Sequence, residues 1–84
     1  MAEVRLYTIP TCPHCMVVRE YLRRRNVEFE EYNVNDDYER WREAISKTGG
    51  LDVVPVIDID GQILFGAFTT EFEKRLSLAL EQAG

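Results

Sequence analysis

The chain has 84 residues, enough for one small domain spanning 1–84 and close to the lower limit at which a hydrophobic core suffices without staples or metals. Its 45 % apolar content, with four Phe, four Tyr and one Trp, can supply that core. A formal net charge of −5 excludes the basic face that a nucleic-acid backbone requires, and no apolar run approaches the ~20 residues of a membrane span.

The opening MAEVRLYTIP lacks a basic start followed by a long apolar stretch, so no secretory signal is expected. A cytoplasmic location follows as an expectation, and static disulfides are rare there. Val4 to Ile9 mixes β-branched, aromatic and aliphatic residues and reads as a first strand, stopped by Pro10. From Pro13 to Arg25, Met16, Val17, Val18, Tyr21 and Leu22 fall at helical spacing, with Arg19, Glu20, Arg23 and Arg24 off that face. The triplet Arg23-Arg24-Arg25 closes this helix, where cations suit its dipole.

Val27 to Val34 carries Val27, Phe29, Tyr32 and Val34 among acidic residues and predicts a second strand. Asn35-Asp36-Asp37 offers N-cap chemistry to a second helix along Tyr38, Trp41, Ala44 and Ile45, closed by Gly49-Gly50. Val53 to Ile59 and Gln62 to Phe65 are two strands whose Asp60-Gly61 junction predicts a two-residue hairpin, because both turn residues accept positive φ. Thr70 and Glu73 read as a T-x-x-E capping box before a third helix along Phe72, Leu76, Ala79 and Leu80. The order β-α-β-α-β-β-α is an α/β pattern: a right-handed crossover makes the first two strands parallel, and the hairpin completes a four-stranded mixed sheet.

Both cysteines and the lone histidine lie in Thr11-Cys12-Pro13-His14-Cys15, between the first strand and the first helix. A C-x-x-C pair in a βαβ unit is the setting of thioredoxin-like redox thiols. With Cys12 at the N-cap and Pro13 at N1, proline starts the helix at no cost in lost donors, and the next free amides point at the Cys12 sulfur. Those amides and the dipole favour thiolate, the attacking species. Cys15, three residues on, lies on the same helical face, deeper and within disulfide reach, as a resolving thiol should. A cationic His14 would stabilise the thiolate further, making Pro13 and His14 tuners of redox poise.

Other readings of the pair fare differently. A structural disulfide here closes too short a loop to stabilise much. A zinc site wants four N or S ligands, which one copy of this chain cannot provide from two Cys and one His. The alternative from another class is a non-catalytic thiol module that holds a metal or iron–sulfur cluster at a dimer interface. Covalent haem requires C-x-x-C-H, and Met16 follows Cys15. Pro55, at the start of an apolar strand, marks an edge, a strand start or a special peptide bond.

TCPHC after one strand, Val54-Pro55 some forty residues later, the IDIDG hairpin and Gly66 before a capped helix together resemble the glutaredoxin family, with its short glutaredoxin-like redoxins, within the thioredoxin superfamily. The likeness implies a thioredoxin-like fold, a cis Val54–Pro55 bond packed on the cysteines, and dithiol reduction of protein or glutathione mixed disulfides. Cys12 would be the nucleophile and Cys15 the resolving thiol. Thr11, Val54, Pro55, Gly66, Phe68, Thr69 and Thr70 would contact substrate. The implied partners are protein disulfides, with glutathione or a thioredoxin-reductase-type flavoprotein as electron donor to a monomer; no cofactor or metal is implied. Two departures bear on glutathione: Ile9 and Pro10 stand where glutaredoxins often carry a basic residue, and Gly66-Ala67-Phe68-Thr69-Thr70 lacks the acid that holds the γ-glutamyl end.

Overall fold

The structure is a computed structural model that describes residues 3–83. Strand β1 is Val4–Thr8, helix α1 Pro13–Arg24, β2 Glu30–Asn33, α2 Tyr38–Lys47, β3 Val56–Ile59, β4 Gln62–Phe65 and α3 Thr70–Ala83. The strands form one mixed sheet in the order β2-β1-β3-β4, with β1 parallel to β2 and antiparallel to β3, and β3 antiparallel to β4. The fold is thioredoxin-like, with three helices on a four-stranded sheet.

Strand alternation divides the core in two. Val4, Leu6, Ile57 and Ile59 face α1 and α3, meeting Val18, Leu22, Phe72, Leu76 and Ala79. Tyr7 and Val56 face the other way, toward Val34, Trp41 and Ala44. Every residue of β3 is buried, Asp58 included. Asp58 is tolerated because its carboxylate pairs with Lys47 and accepts the Gly61 N–H at 2.8 Å. On the same face the Tyr7 hydroxyl donates to Glu43 at 3.1 Å. Burial, then that carboxylate, pushes its pKa up to about 12, so Tyr7 stays neutral.

Several elements are shorter than their apolar runs, each for a hydrogen-bonding reason. Arg25 is the C-cap of α1, Asn26 takes a left-handed φ of 56°, and the Val27 amide donates to Leu22 O at 3.0 Å. Val27 therefore closes the helix, and β2 begins only at Glu30. Gly49 and Gly50 end α2 in the same way, Gly50 N–H donating to Ile45 O at 2.8 Å. Pro55 has no N–H for the ladder, so β3 begins at Val56 and not at Val53. The Asp60-Gly61 hairpin forms as expected, with φ of 49° and 93°.

Helix α1 is fixed to the sheet by more than apolar contact. Arg19 Nε donates to Glu31 Oε1 at 2.8 Å, a second guanidinium N–H reaches Glu31 Oε2, and Thr8 Oγ1 donates to that oxygen at 2.9 Å. This triad joins α1 to both β1 and β2, one turn beyond Cys15. The Arg19 hydrogen bonds foremost, and the Thr8 hydroxyl after them, hold the Glu31 carboxyl below its ordinary range despite partial burial. Because the folded pKa is the lower one, the stabilisation is present above the unfolded value and is lost as pH falls through the folded one. Glu31→Gln should therefore cost about 1 kcal/mol at neutral pH, a figure kept small by solvent screening. Urea unfolding across pH checks this: the two proteins should converge at acid pH, and a pH-independent gap would contradict it.

Candidate active site

The chain leaves β1 at Thr8 and turns through Ile9-Pro10-Thr11, with Cys12 N–H donating to Ile9 O at 3.4 Å. Cys12 has extended backbone angles, φ −95° and ψ 109°, as an N-cap must, and Pro13 follows at N1. Its sulfur accepts the Cys15 N–H at 3.1 Å. That amide is a free first-turn donor, so Cys12 caps α1 with sulfur where other helices use oxygen. No acidic side chain lies in this turn to oppose a thiolate.

Cys12 and Cys15 are joined as a disulfide with their Cα atoms 5.2 Å apart. Cys12 retains 7 % exposure while Cys15 is wholly buried. Only Cys12 can meet a sulfur of another molecule without the helix moving.

His14 is exposed beside the pair, and its Nδ1 accepts the Phe68 N–H at 3.1 Å. The ring proton is then on Nε2, and the imidazole is neutral while this bond lasts. Gly66, φ 105°, follows β4 and donates its N–H to Pro55 O at 3.2 Å. The Val54–Pro55 bond is cis, with Pro55 buried and Val54 half-buried on the α2-side core. One chain of contacts thus links the first turn of α1 to residues 66–68 and these to Pro55. Thr11, Thr69 and Thr70 are exposed at the same edge.

The α3 cap differs from expectation. Thr69 Oγ1 accepts the Phe72 N–H at 3.1 Å, and Thr69 O accepts the Glu73 N–H at 2.9 Å. Thr69 is the cap and Thr70 the first helical residue, so Glu73 falls one position too late to complete a capping box. Two adjacent threonines are chemically equivalent as caps. The burial of Phe72, Leu76 and Ala79 against the sheet sets the helix phase and so chooses between them.

A second departure concerns α1. Cys15, Val18 and Leu22 are its buried residues, whereas Met16 is 56 % and Val17 45 % exposed. A signal was available: at about 100° per residue, four consecutive apolar positions from Cys15 to Val18 cannot all face one sheet. The His14–Phe68 bond, by contrast, leaves no mark in periodicity. Among the described residues no group of three or more His, Cys, Asp or Glu side chains is placed to hold a metal ion, and no helix is long and apolar enough to cross a membrane.

Residues 4–64 match the family model Glutaredoxin. The chain is 41 % identical over 73 residues to an uncharacterised glutaredoxin-like 8.6 kDa protein in the rubredoxin operon of Clostridium pasteurianum, covering 84 % of this chain and 93 % of that one. It is 36 % identical over 66 residues to glutaredoxin 3 of Escherichia coli K12, covering 79 % and 78 %. A crystal structure of a glutaredoxin from Archaeoglobus fulgidus superposes with a TM-score of 0.74 at 32 % identity, over 92 % of this chain and 87 % of that one.

The cap assignment is open to a direct comparison. Thr69→Ala removes the acceptor of the Phe72 amide and should cost about 1 kcal/mol, while Thr70→Ala should cost a few tenths at most. Chemical denaturation of the two oxidised variants measures this; a larger loss for Thr70→Ala would return the cap to Thr70, and equal losses would deny Thr69 the role.

Proposed function

The chain belongs to the glutaredoxin family, and on that premise we propose that it is a thiol–disulfide oxidoreductase that reduces protein disulfides through Cys12 and Cys15. The placement of Cys12 supports this reading above all: its sulfur faces a free helix amide and is the accessible member of the pair. In the reduced protein the Cys12 thiolate attacks one sulfur of a substrate disulfide. A mixed disulfide forms, and the other substrate sulfur leaves as a thiolate that takes up a proton. Cys15, losing its proton, attacks Cys12 Sγ and releases the substrate fully reduced. The Cys12–Cys15 disulfide that results is the bond seen in the structure.

Two electrons and two protons must then return the pair to dithiol, from two glutathione molecules or from a flavoprotein reductase. Regeneration at every turnover suits a reducing compartment, so the cytoplasm is the proposed setting, with the chain acting as a monomer. The donors around α3 favour the reductase over glutathione. The Phe68 amide is bonded to His14 and the Phe72 amide to Thr69, so neither is free for a glutathione carboxylate. Ile9 and Pro10 add no cation, and residues 66–70 add no acid. Each charged hydrogen bond so lost is worth roughly 1.5–3 kcal/mol.

His14 is proposed as a tuner in the reduced protein. Its Nδ1 must let go of the Phe68 amide before the ring can become cationic, and the Cys12 thiolate is the charge that would favour this exchange.

Three variants and one comparison test the reading. Cys12→Ser should abolish reduction of insulin disulfides, and Cys15→Ser should accumulate a mixed disulfide visible by mass spectrometry. Against the oxidised protein, thioredoxin reductase with NADPH should outpace glutathione with glutathione reductase by an order of magnitude or more; the reverse ratio would reassign the electron donor. His14→Ala should shift the thiolate absorbance of Cys12 to higher pH and leave the disulfide less oxidising. An unchanged titration would remove His14 from the mechanism.

A further inference from the structure

Met16 and Val17, the exposed apolar pair that follows Cys15, open onto a groove of about 360 Å³ between α1 and the start of α3. Its floor is aromatic and fixed. The Tyr21 and Phe68 rings lie 5.9 Å apart, and Phe68 packs at 5.7 Å on Phe72, which is part of the core. The Phe68 backbone is in turn bonded to His14, so the groove is continuous with the redox site. The fold itself does not need Met16 and Val17 to be apolar, because Cys15, Val18 and Leu22 supply the packed face of α1. Exposed apolar side chains beside a reactive centre mark a contact surface.

The rim is charged. Glu20 and Glu73 stand on the two walls, and Arg24 lies one turn further from Cys12 than Glu20 does. Glu73 forms no ion pair among the described residues, and Glu20 makes only a solvent-exposed one to Arg23 at 3.6 Å. An occupant therefore meets an apolar floor and two available carboxylates before it meets a cation.

We propose that this groove docks the protein substrate beside its disulfide, taking an extended segment with an apolar side chain on Tyr21 and Phe68 and a neighbouring lysine or arginine at Glu20 and Glu73. The proposal rests on the protein-disulfide reading above and deepens it. Val17 and Glu20 lie about 7 to 12 Å along the helix axis from Cys12. An extended chain covers that distance in roughly two to four residues, which places the recognised pair that far from the substrate cysteine.

The test uses the prereduced full chain and three disulfides: hydroxyethyl disulfide, the disulfide-linked dimer of the peptide Lys-Leu-Gly-Cys-Gly-Leu-Lys, and that of Glu-Ser-Gly-Cys-Gly-Ser-Glu. The second-order rate constant of reduction should be at least tenfold higher for the Leu–Lys peptide than for the Ser–Glu peptide. Val17→Ser and Glu73→Gln should each lower the Leu–Lys rate three- to tenfold while leaving hydroxyethyl disulfide unchanged. Glu39→Gln, which removes the same charge from α2 on the opposite face, should alter neither rate. Equal rates for the two peptides, or an equal effect of Glu39→Gln and Glu73→Gln, would overturn the groove and leave the oxidoreductase intact. Sedimentation that shows a dimer dispersed by Val17→Ser, with peptide rates unchanged, would assign the groove to a second copy of this chain instead. Inactivity toward all three disulfides would overturn the oxidoreductase reading and this proposal together.

Discussion

One contact organises the redox site: the Cys15 amide donating to the Cys12 sulfur across the first turn of α1. It exists only while Cys12 keeps its extended N-cap conformation and Pro13 starts the helix, the same local geometry that brings the two cysteines within bonding reach. The helix axis must also stay aligned with the end of β1. Val18 and Leu22 hold that alignment through the core, and Arg19 holds it through Glu31 and Thr8. The polar network on α1 is thus a positional device one turn from the chemistry, and its cost in ordered side chains is offset by a bidentate, partly buried geometry.

Strand direction does the rest of the assembly. Because β1 runs parallel to β2 and antiparallel to β3, and β4 antiparallel to β3, the end of β1, the start of β3 and the end of β4 share one edge of the sheet. Residues 9–15, 53–55 and 66–70 are brought together there from across the sequence. Two backbone donors then stitch them, Gly66 to Pro55 and Phe68 to His14. The buried ionisable groups lie on the α2 face, where Tyr7 pairs with Glu43 and Asp58 with Lys47. Keeping them there leaves at that edge the Cys12–Cys15 pair and the exposed His14 imidazole.

Much of this was legible beforehand. The C-x-x-C pair, the proline at N1, the Asp-Gly hairpin and the paired glycines after α2 are local signals, each fixed by the conformational demands of one or two residues, and each is met. The element ends were less legible, because Val27 and Val54 look like strand residues, whereas the Val27 amide is taken by Leu22 O and Val54 precedes a proline that has no N–H for the ladder. The choice of Thr69 over Thr70 as cap likewise depends on a helix phase set by the sheet.

What the sequence determined by itself is the reactive motif and the type and order of the elements, since both follow from spacing within a few residues. Tertiary structure decided which residues the site can use. It exposed Met16 and Val17, because only one face of α1 can reach the sheet, and it turned His14 into an acceptor, because the loop after β4 brings the Phe68 amide to it. The first follows once the sheet takes one face of the helix, but the second depends on a contact across more than fifty residues, and hydrophobic periodicity carries no information at that range.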